Sequence, residues 1–350
     1  MTRAEPPGWS SAAAGPPTGI AGLGMWVPPR VVPAEELADE TSIPAAVLRE
    51  KFGINQVRRA AEDCHVSDMA TLAGQAALAD AGLAAADIDL VIYCGSEFKD
   101  YIVWSAAAHI AHRLGCPRAQ VFEIYALCAG TPIALRAARD MLLAEPDLRT
   151  ALVVAASKES ALVDRRNQRS RFMFNFGDGA GAAVIQRGLR RNRVLGSASL
   201  SDGSMSMDAI MPAGGSVQPA SAATVAAGLH LFDVPGLEHM RERLDAGSMA
   251  NFHQVVSDAL RRSGRRRVDF LAPVHMKRSM FASLQKILGA DRGYYLEDYG
   301  HMQAADQLVI LERAREEGLL HAGDTVVLAA AGVGYTWAAT VVAWGEAEEE

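Results

Sequence analysis

Three short stretches of the chain hold residues whose types could do nucleophilic or acid–base chemistry. The first is "EIYALCAGTPIALRAARDMLLAE", in which Cys128 follows a short apolar strand and precedes Ala129, Gly130 and Pro132. Proline suits the first turn of a helix, and Ile133, Leu135, Ala138 and Leu142 give that helix an apolar face. A cysteine at such a turn faces unpaired backbone N–H groups and the positive end of the helix dipole, both of which favour the thiolate. The second stretch is "DFLAPVHMKRSM", where His275 ends an apolar strand and its imidazole needs a partner. The third is "YGHMQAAD", where His301 follows a Tyr-Gly turn at the start of a helix-like run. A thiolate is a nucleophile, and imidazole can donate or accept a proton near neutral pH.

Most other candidates have plainer readings. Cys64, Cys94 and Cys116 read as small buried hydrophobes. The four cysteines show no C-x-x-C pair and no metal-ligand spacing with histidine, so a reduced, cytoplasmic protein without a metal or other cofactor is expected. Seven histidines, at positions 65, 109, 112, 230, 239, 253 and 321, sit on helix-like segments, at helix starts or in loops and need no functional account. "FGDGAGAAVI" looks like a phosphate loop but lacks the lysine and runs into a strand. Its Gly177, Gly179 and Gly181 are expected in tight turns that support the cysteine from behind, with Asp178 in a structural hydrogen-bonding role.

The elements that must position these residues alternate. Strand-like "IAGLGMWV" is followed by helix-like "MATLAGQAALADAG", strand-like "DLVIYCGS" and helix-like "WSAAAHIAHRLG", which predicts an α/β fold with covered sheets. The order then recurs. Helix Met69–Gly82, strand "DLVIYCGS", a second helix, the cysteine turn with helix Pro132–Leu143, and strands "TALVVAAS" and "GAGAAVI" form one series. Helix Asn251–Arg262, strand "DFLAPVH", helix Ser279–Leu288, the "DYGHMQ" turn with its helix, and strands "DTVVLAAAG" and "TWAATVVAW" form the other. This predicts a duplicated layered core with halves at 18–186 and 187–345, flanked by tails at 1–17 and 346–350, and it puts Cys128 and His301 at equivalent turns. The Gly/Ser-rich excursion between the halves could border a substrate channel.

With 34 basic and 41 acidic residues the net charge is −7, so the chain has no overall attraction to nucleic acid or an anionic membrane, and no apolar run approaches a membrane span. Basic side chains concentrate in "RRSGRRR", at Arg261, Arg262, Arg265, Arg266 and Arg267. This run could meet an acidic partner or read as a solvated helix end.

"ALCAGTP", "FNFGDGAGAAVI", "DFLAPVHMKRSM", "DYGHMQAAD" and "GVGYTWAATVVAW" occur in the order found in β-ketoacyl-ACP synthase III and its relatives, and the chain resembles that family over roughly residues 18 to 345. The resemblance implies a thiolase fold with an αβαβα core and a homodimer. It implies an acyltransferase in which Cys128 is acylated by an acyl-CoA or acyl-ACP, with His275 assisting decarboxylation of a malonyl-type thioester. The carbanion formed attacks the acyl group, and the backbone N–H groups of Cys128 and Gly334 form the oxyanion hole. An acyl carrier protein is the implied partner, with weak docking candidates at the arginine run and at Lys277 and Arg278.

Three positions depart from the family pattern. His301 replaces the usual asparagine, "HMKRSM" replaces H-Q-A-N, and "SIPAAVLREKFGI" lacks the tryptophan that stacks on adenine. A related branch uses a glutamate near "GSEFKDY", which makes Glu97 a minor acid/base candidate. Transfer of the acyl group to a hydroxyl or amine, and a silent acyl-binding subunit, are the competing readings. A specialised polyketide or fatty-acid-derived pathway is expected over ordinary fatty-acid initiation.

Overall fold

The computed structural model describes residues 15–345. The expected tails at 1–17 and 346–350 lie outside these residues except for 15–17. Twelve strands are described: β1 (Thr18–Trp26), β2 (Val31–Pro33), β3 (Gln56–Arg58), β4 (Leu90–Gly95), β5 (Gln120–Tyr125), β6 (Thr150–Ser157), β7 (Gly179–Arg187), β8 (Arg193–Ser201), β9 (Phe270–Pro273), β10 (Arg292–Gly293), β11 (Thr325–Gly332) and β12 (Thr336–Ala343).

Ten of them form one sheet in the order β10-β9-β11-β12-β8-β1-β7-β6-β4-β5. Its two halves run in matching order, with β8, β9, β10, β11 and β12 in the places of β1, β4, β5, β6 and β7. They meet through the β1–β8 pair, Gly19 opposite Arg193. The recurrence of element order in the sequence therefore corresponds to a recurrence of topology, and the architecture is a thiolase fold.

Alternation along the strands explains the layers. In β6, Leu152, Val154 and Ala156 face the outer cluster formed with helices Val66–Ala81 and Ala106–Leu114, while Ala151, Val153 and Ala155 face the central cluster. A strand covered on both faces reads as a continuous apolar run, as "TALVVAAS" does. Helices Gly130–Ala144 and Asp306–Glu316 occupy the central layer, and helices Leu237–Ser263 and Arg278–Leu288 cover the far side. The central pair are the helices that follow the Cys128 and His301 turns.

Two elements differ from the sequence reading. The long helix begins at Leu237 rather than Asn251, because its first half is mostly exposed and lacks the apolar repeat that marks the second. Strand β10 has two residues and leaves no periodic signal.

Candidate active site

Cys128 lies in a single 3-10 turn, Leu127–Ala129, directly before helix Gly130–Ala144. Leu127 has φ of 48°, in the left-handed region that a branched side chain seldom adopts, and this backbone turns the chain sharply at the nucleophile. The end of β11 abuts the same turn, since a Cβ on Gly332 would lie 2.5 Å from the Ala126 carbonyl oxygen and 3.3 Å from the Cys128 nitrogen. At Gly334 a Cβ would meet nothing within 4 Å, and glycine is required there by its φ of 112°.

His301 reaches Cys128 from the other half of the fold. Its Nε2 is 3.1 Å from Cys128 Sγ, and its Nδ1 is 2.6 Å from Asp306 Oδ2. Asp306 is fully buried at the start of helix Asp306–Glu316, where the helix dipole favours a carboxylate. It also accepts hydrogen bonds from the backbone N–H groups of His275 and Met302, both at 2.7 Å. With Nδ1–H donating to the carboxylate, Nε2 is left facing sulfur, the tautomer a base needs. Burial by itself would hold the His301 ring neutral, but the charges of Asp306 and Cys128 outweigh it and raise the pKa well above the ordinary value. The three side chains form a Cys-His-Asp relay with the imidazole in the middle.

The glycine-rich stretch clamps His301 rather than Cys128. His301 N–H donates to the Asn175 carbonyl at 2.8 Å, and Gly177 N–H donates to the His301 carbonyl at 3.0 Å. The expected tight turns at Gly177, Gly179 and Gly181 are corrected, since none has positive φ and the last two lie within β7. What requires glycine is close approach. A Cβ would come within 2.2 Å of the Tyr299 oxygen at Gly177, 2.6 Å of Met302 Sδ at Gly179 and 2.6 Å of Leu308 Cβ at Gly181. Asp178 is buried and accepts from Ala60 N–H and from Ser160 Oγ, each at 2.8 Å. Phe176 meets the His301 ring edge-on at 5.0 Å between centroids.

His275 follows β9 and shares the Asp306 anchor only through its backbone. Its ring is buried, and neither nitrogen has a hydrogen-bond partner among the described residues. Burial, chiefly, lowers its pKa to about 4, with the charges of His301 and Arg278 adding to the effect against Asp306. The site therefore holds two imidazoles of opposite character, a neutral one at His275 and one at His301 that readily takes a proton.

The remaining candidates separate from this centre. Glu97 is exposed, and no hydrogen bond or ion pair joins it to Cys128 or His301 among the described residues. The buried acid of that region is Glu159, which the sequence reading missed. It accepts hydrogen bonds from Ser96 and Ser157 at the ends of β4 and β6. Arg261 pairs with Asp258, Arg262 donates to the Ser197 carbonyl and Arg267 pairs with Asp269. The arginine run ends before β9 begins, whereas His275, Lys277 and Arg278 follow β9, so the docking candidates fall at opposite ends of that strand. Burial pushes the Cys94 thiol up to about 12 and the Cys116 thiol up to about 11, which fits inert core roles. No cluster of His, Cys, Asp or Glu suited to a metal ion occurs among the described residues.

Glu159 gives a stability prediction. Burial, opposed by the two serine hydroxyls, raises its pKa from 4.5 to about 7. A carboxyl raised on folding binds more protons in the folded state, so its contribution is fully present below pH 4.5 and is lost as pH rises to 7, about 3 kcal/mol in all. Denaturant titrations of the wild type and Glu159→Gln should therefore diverge by about that amount between pH 4.5 and pH 8. A constant difference across that range would count against the assignment.

The model of the family described as 3-oxoacyl-[acyl-carrier-protein (ACP)] synthase III matches residues 122–203, and that of the C-terminal part of the same enzymes matches residues 262–344. The first contains Cys128 and the glycine-rich stretch, and the second contains His275, His301 and Asp306. A β-ketoacyl-[acyl-carrier-protein] synthase III of Desulfitobacterium hafniense is 32% identical over 333 residues, 94% of this chain and 98% of the relative. Its counterpart in Symbiobacterium thermophilum is 33% identical over 337 residues, again 94% and 98%. Among solved structures, the β-ketoacyl-[acyl-carrier-protein] synthase III of Thermus thermophilus superposes with a TM-score of 0.80 at 25% identity, over 94% of this chain and all of that one.

Proposed function

This chain belongs to the 3-oxoacyl-[acyl-carrier-protein] synthase III family and is an acyltransferase, and we propose that its two steps pass through an acyl thioester on Cys128. The observation that carries this reading is the 3.1 Å contact between Cys128 Sγ and His301 Nε2 at the mouth of a helix. In the first step the Cys128 thiolate attacks the carbonyl carbon of an acyl-CoA or acyl-ACP, and the donor thiolate leaves. His301 takes the cysteine proton and returns it to the leaving sulfur. The backbone N–H groups of Cys128 and Gly334 meet the oxyanion.

In the second step a malonyl-type thioester loses carbon dioxide. A ring N–H of neutral His275 donates to the thioester oxygen as it becomes an enolate. The enolate carbon attacks the acyl group and Cys128 thiolate departs. An imidazole with a low pKa and no competing partner suits donation without proton transfer.

One observation favours a second reading, transfer of the acyl group to a hydroxyl or amine. Such an acceptor must lose a proton as it attacks, and the His301–Asp306 pair is built to receive one. Substrate handling departs from the family at "HMKRSM" and at the missing tryptophan, which supports a specialised pathway.

Lys277 and Arg278, at the start of helix Arg278–Leu288, support docking of an acidic carrier on the His275 side. A homodimer is supported by the unpaired outer edge of β5, with Val121 and Tyr125 exposed, and by the exposed apolar side chains of Tyr101, Ile102 and Val103. A cytoplasmic setting is supported by four unpaired cysteines. No helix among the described residues is long and apolar enough to cross a membrane.

Intact-protein mass spectrometry with a panel of acyl thioesters tests the first step. The wild type should gain one acyl mass and Cys128→Ala none. Failure of the wild type to gain mass from any donor removes both readings. Carbon dioxide release from a malonyl thioester then separates condensation from transfer.

A further inference from the structure

A working imidazole must be held at a fixed angle, and the usual device is a hydrogen bond from its second nitrogen. His301 has this device in Asp306, and His275 has none. What the His275 ring touches is Tyr295, with centroids 5.0 Å apart and a tilt of 42°. Tyr295 is itself held by several contacts. Its hydroxyl donates to the Met276 carbonyl at 2.6 Å. The same oxygen fills the space that Gly53 leaves, since a Cβ there would lie 1.7 Å from it. Phe281 packs on the ring at 5.2 Å, and the Arg278 guanidinium lies over it at 4.6 Å.

We infer that Tyr295 is the positioning residue for His275, holding the ring by aromatic packing so that both nitrogens stay free for substrate. Packing is the only device that fixes an imidazole without consuming a nitrogen, and a ring that must offer an N–H to a substrate oxygen needs one free. The lock also explains the Tyr-Gly combination. A side chain at position 53 would displace the Tyr295 hydroxyl and with it the face on which His275 rests.

The charged groups around the ring fit a neutral imidazole held out of water. Asp306 and the Phe52 carbonyl, which lies outside hydrogen-bond geometry, favour protonation, while burial, His301 and Arg278 oppose it. Glu297 is paired with Arg278.

The inference uses the condensation reading only for what His275 does in the second step. The test therefore has a structural arm and a kinetic arm. In the first, the His275 ring is titrated by NMR in protein carrying labelled histidine, with His275→Gln giving the assignment. Tyr295→Leu admits water to the ring and should raise its titration midpoint by a unit or more, whereas Tyr295→Phe keeps the packing and should leave it in place. In the second arm, acylation of Cys128 and carbon dioxide release are timed separately. Tyr295→Leu should slow carbon dioxide release by about 10- to 100-fold with acylation changed less than about twofold, and Tyr295→Phe should retain most of both rates.

An unmoved His275 titration in Tyr295→Leu overturns the inference, as does equal slowing of the two steps, which marks a purely structural role. Equal damage from Phe and Leu also overturns it by assigning the role to the hydroxyl. If His275→Gln leaves carbon dioxide release intact, the role given to His275 in the second step fails instead, and the NMR arm still decides the role of Tyr295.

Discussion

Asp306→Asn is expected to lower the rate of Cys128 acylation by about 10²- to 10⁴-fold, the scale seen when the orienting acid of a catalytic triad is made an amide. The carboxylate has three donors to satisfy: His301 Nδ1 and the backbone N–H groups of His275 and Met302. An amide offers one acceptor oxygen and must turn its NH₂ toward some of them. If NH₂ faces His301, the ring is forced into the tautomer with hydrogen on Nε2, and the base no longer faces Cys128 as an acceptor. If it takes the place of Oδ1, which accepts only from Met302, one buried N–H donor meets another donor, at about 1–3 kcal/mol. Either arrangement also removes the charge that raises the His301 pKa, so His301 holds a proton less readily. The rate of Cys128 alkylation by iodoacetamide near neutral pH should fall alongside the acylation rate. Asp306→Glu keeps the charge but lengthens the arm and should recover alkylation in part. An Asp306→Asn enzyme with wild-type acylation would exclude Asp306 from the relay.

Asp306 stands in the "YGHMQAAD" stretch, yet nothing in the sequence pointed to its role. An acid in the first turn of a helix is commonplace, because the dipole favours it. Its contact with the His301 ring depends on the chain folding back over five residues, with Gln303 between them at φ of 53°. No periodicity reports such a turn.

The place of Cys128 at a turn before a helix was legible because a cysteine between a strand and a Pro-containing helix start has a definite local geometry. His275 stood out because an imidazole at the end of an apolar strand needs a partner, and among the described residues its ring nitrogens have none. What could not be read was which acid of a region is buried. Glu97 and Glu159 are both acids near strand ends in the sequence, and only the packing of β4 against β6 makes one exposed and the other enclosed. The glycine-rich stretch was legible as structural, but its contact partner was not, because close approach between loops distant in sequence leaves no local signal.

His301→Asn addresses the second step, where the two readings differ most. Asparagine can donate an N–H but cannot accept a proton at neutral pH. A condensation driven by loss of carbon dioxide makes its own carbanion and needs donors at the oxygen, which His275 and an asparagine both supply. Carbon dioxide release and condensation in the variant should therefore stay within about tenfold of wild type. Transfer to a hydroxyl or amine has no such internal source of charge. Its nucleophile must shed a proton as the bond forms, and loss of a positioned base costs about 10²- to 10⁴-fold.

The acylation step supplies an internal control. It should slow by a common factor in both assays, because the cysteine proton has lost its acceptor, so the comparison is made on enzyme already acylated at Cys128. Part of the change falls on folding. Asp306 keeps its two backbone donors but loses the ring N–H, which is expected to cost about 1–3 kcal/mol. Product analysis with paired malonyl-thioester and alcohol or amine acceptors checks the outcome. Retained condensation with lost transfer marks His301 as the base for an oxygen or nitrogen acceptor. Retained transfer shows instead that His301 is not the base for an oxygen or nitrogen acceptor, and removes the observation that favours the second reading. Equal loss of both reactions from acylated enzyme would instead assign His301 to a step they share, the departure of the Cys128 thiolate, whose negative charge a protonated ring at 3.1 Å stabilises.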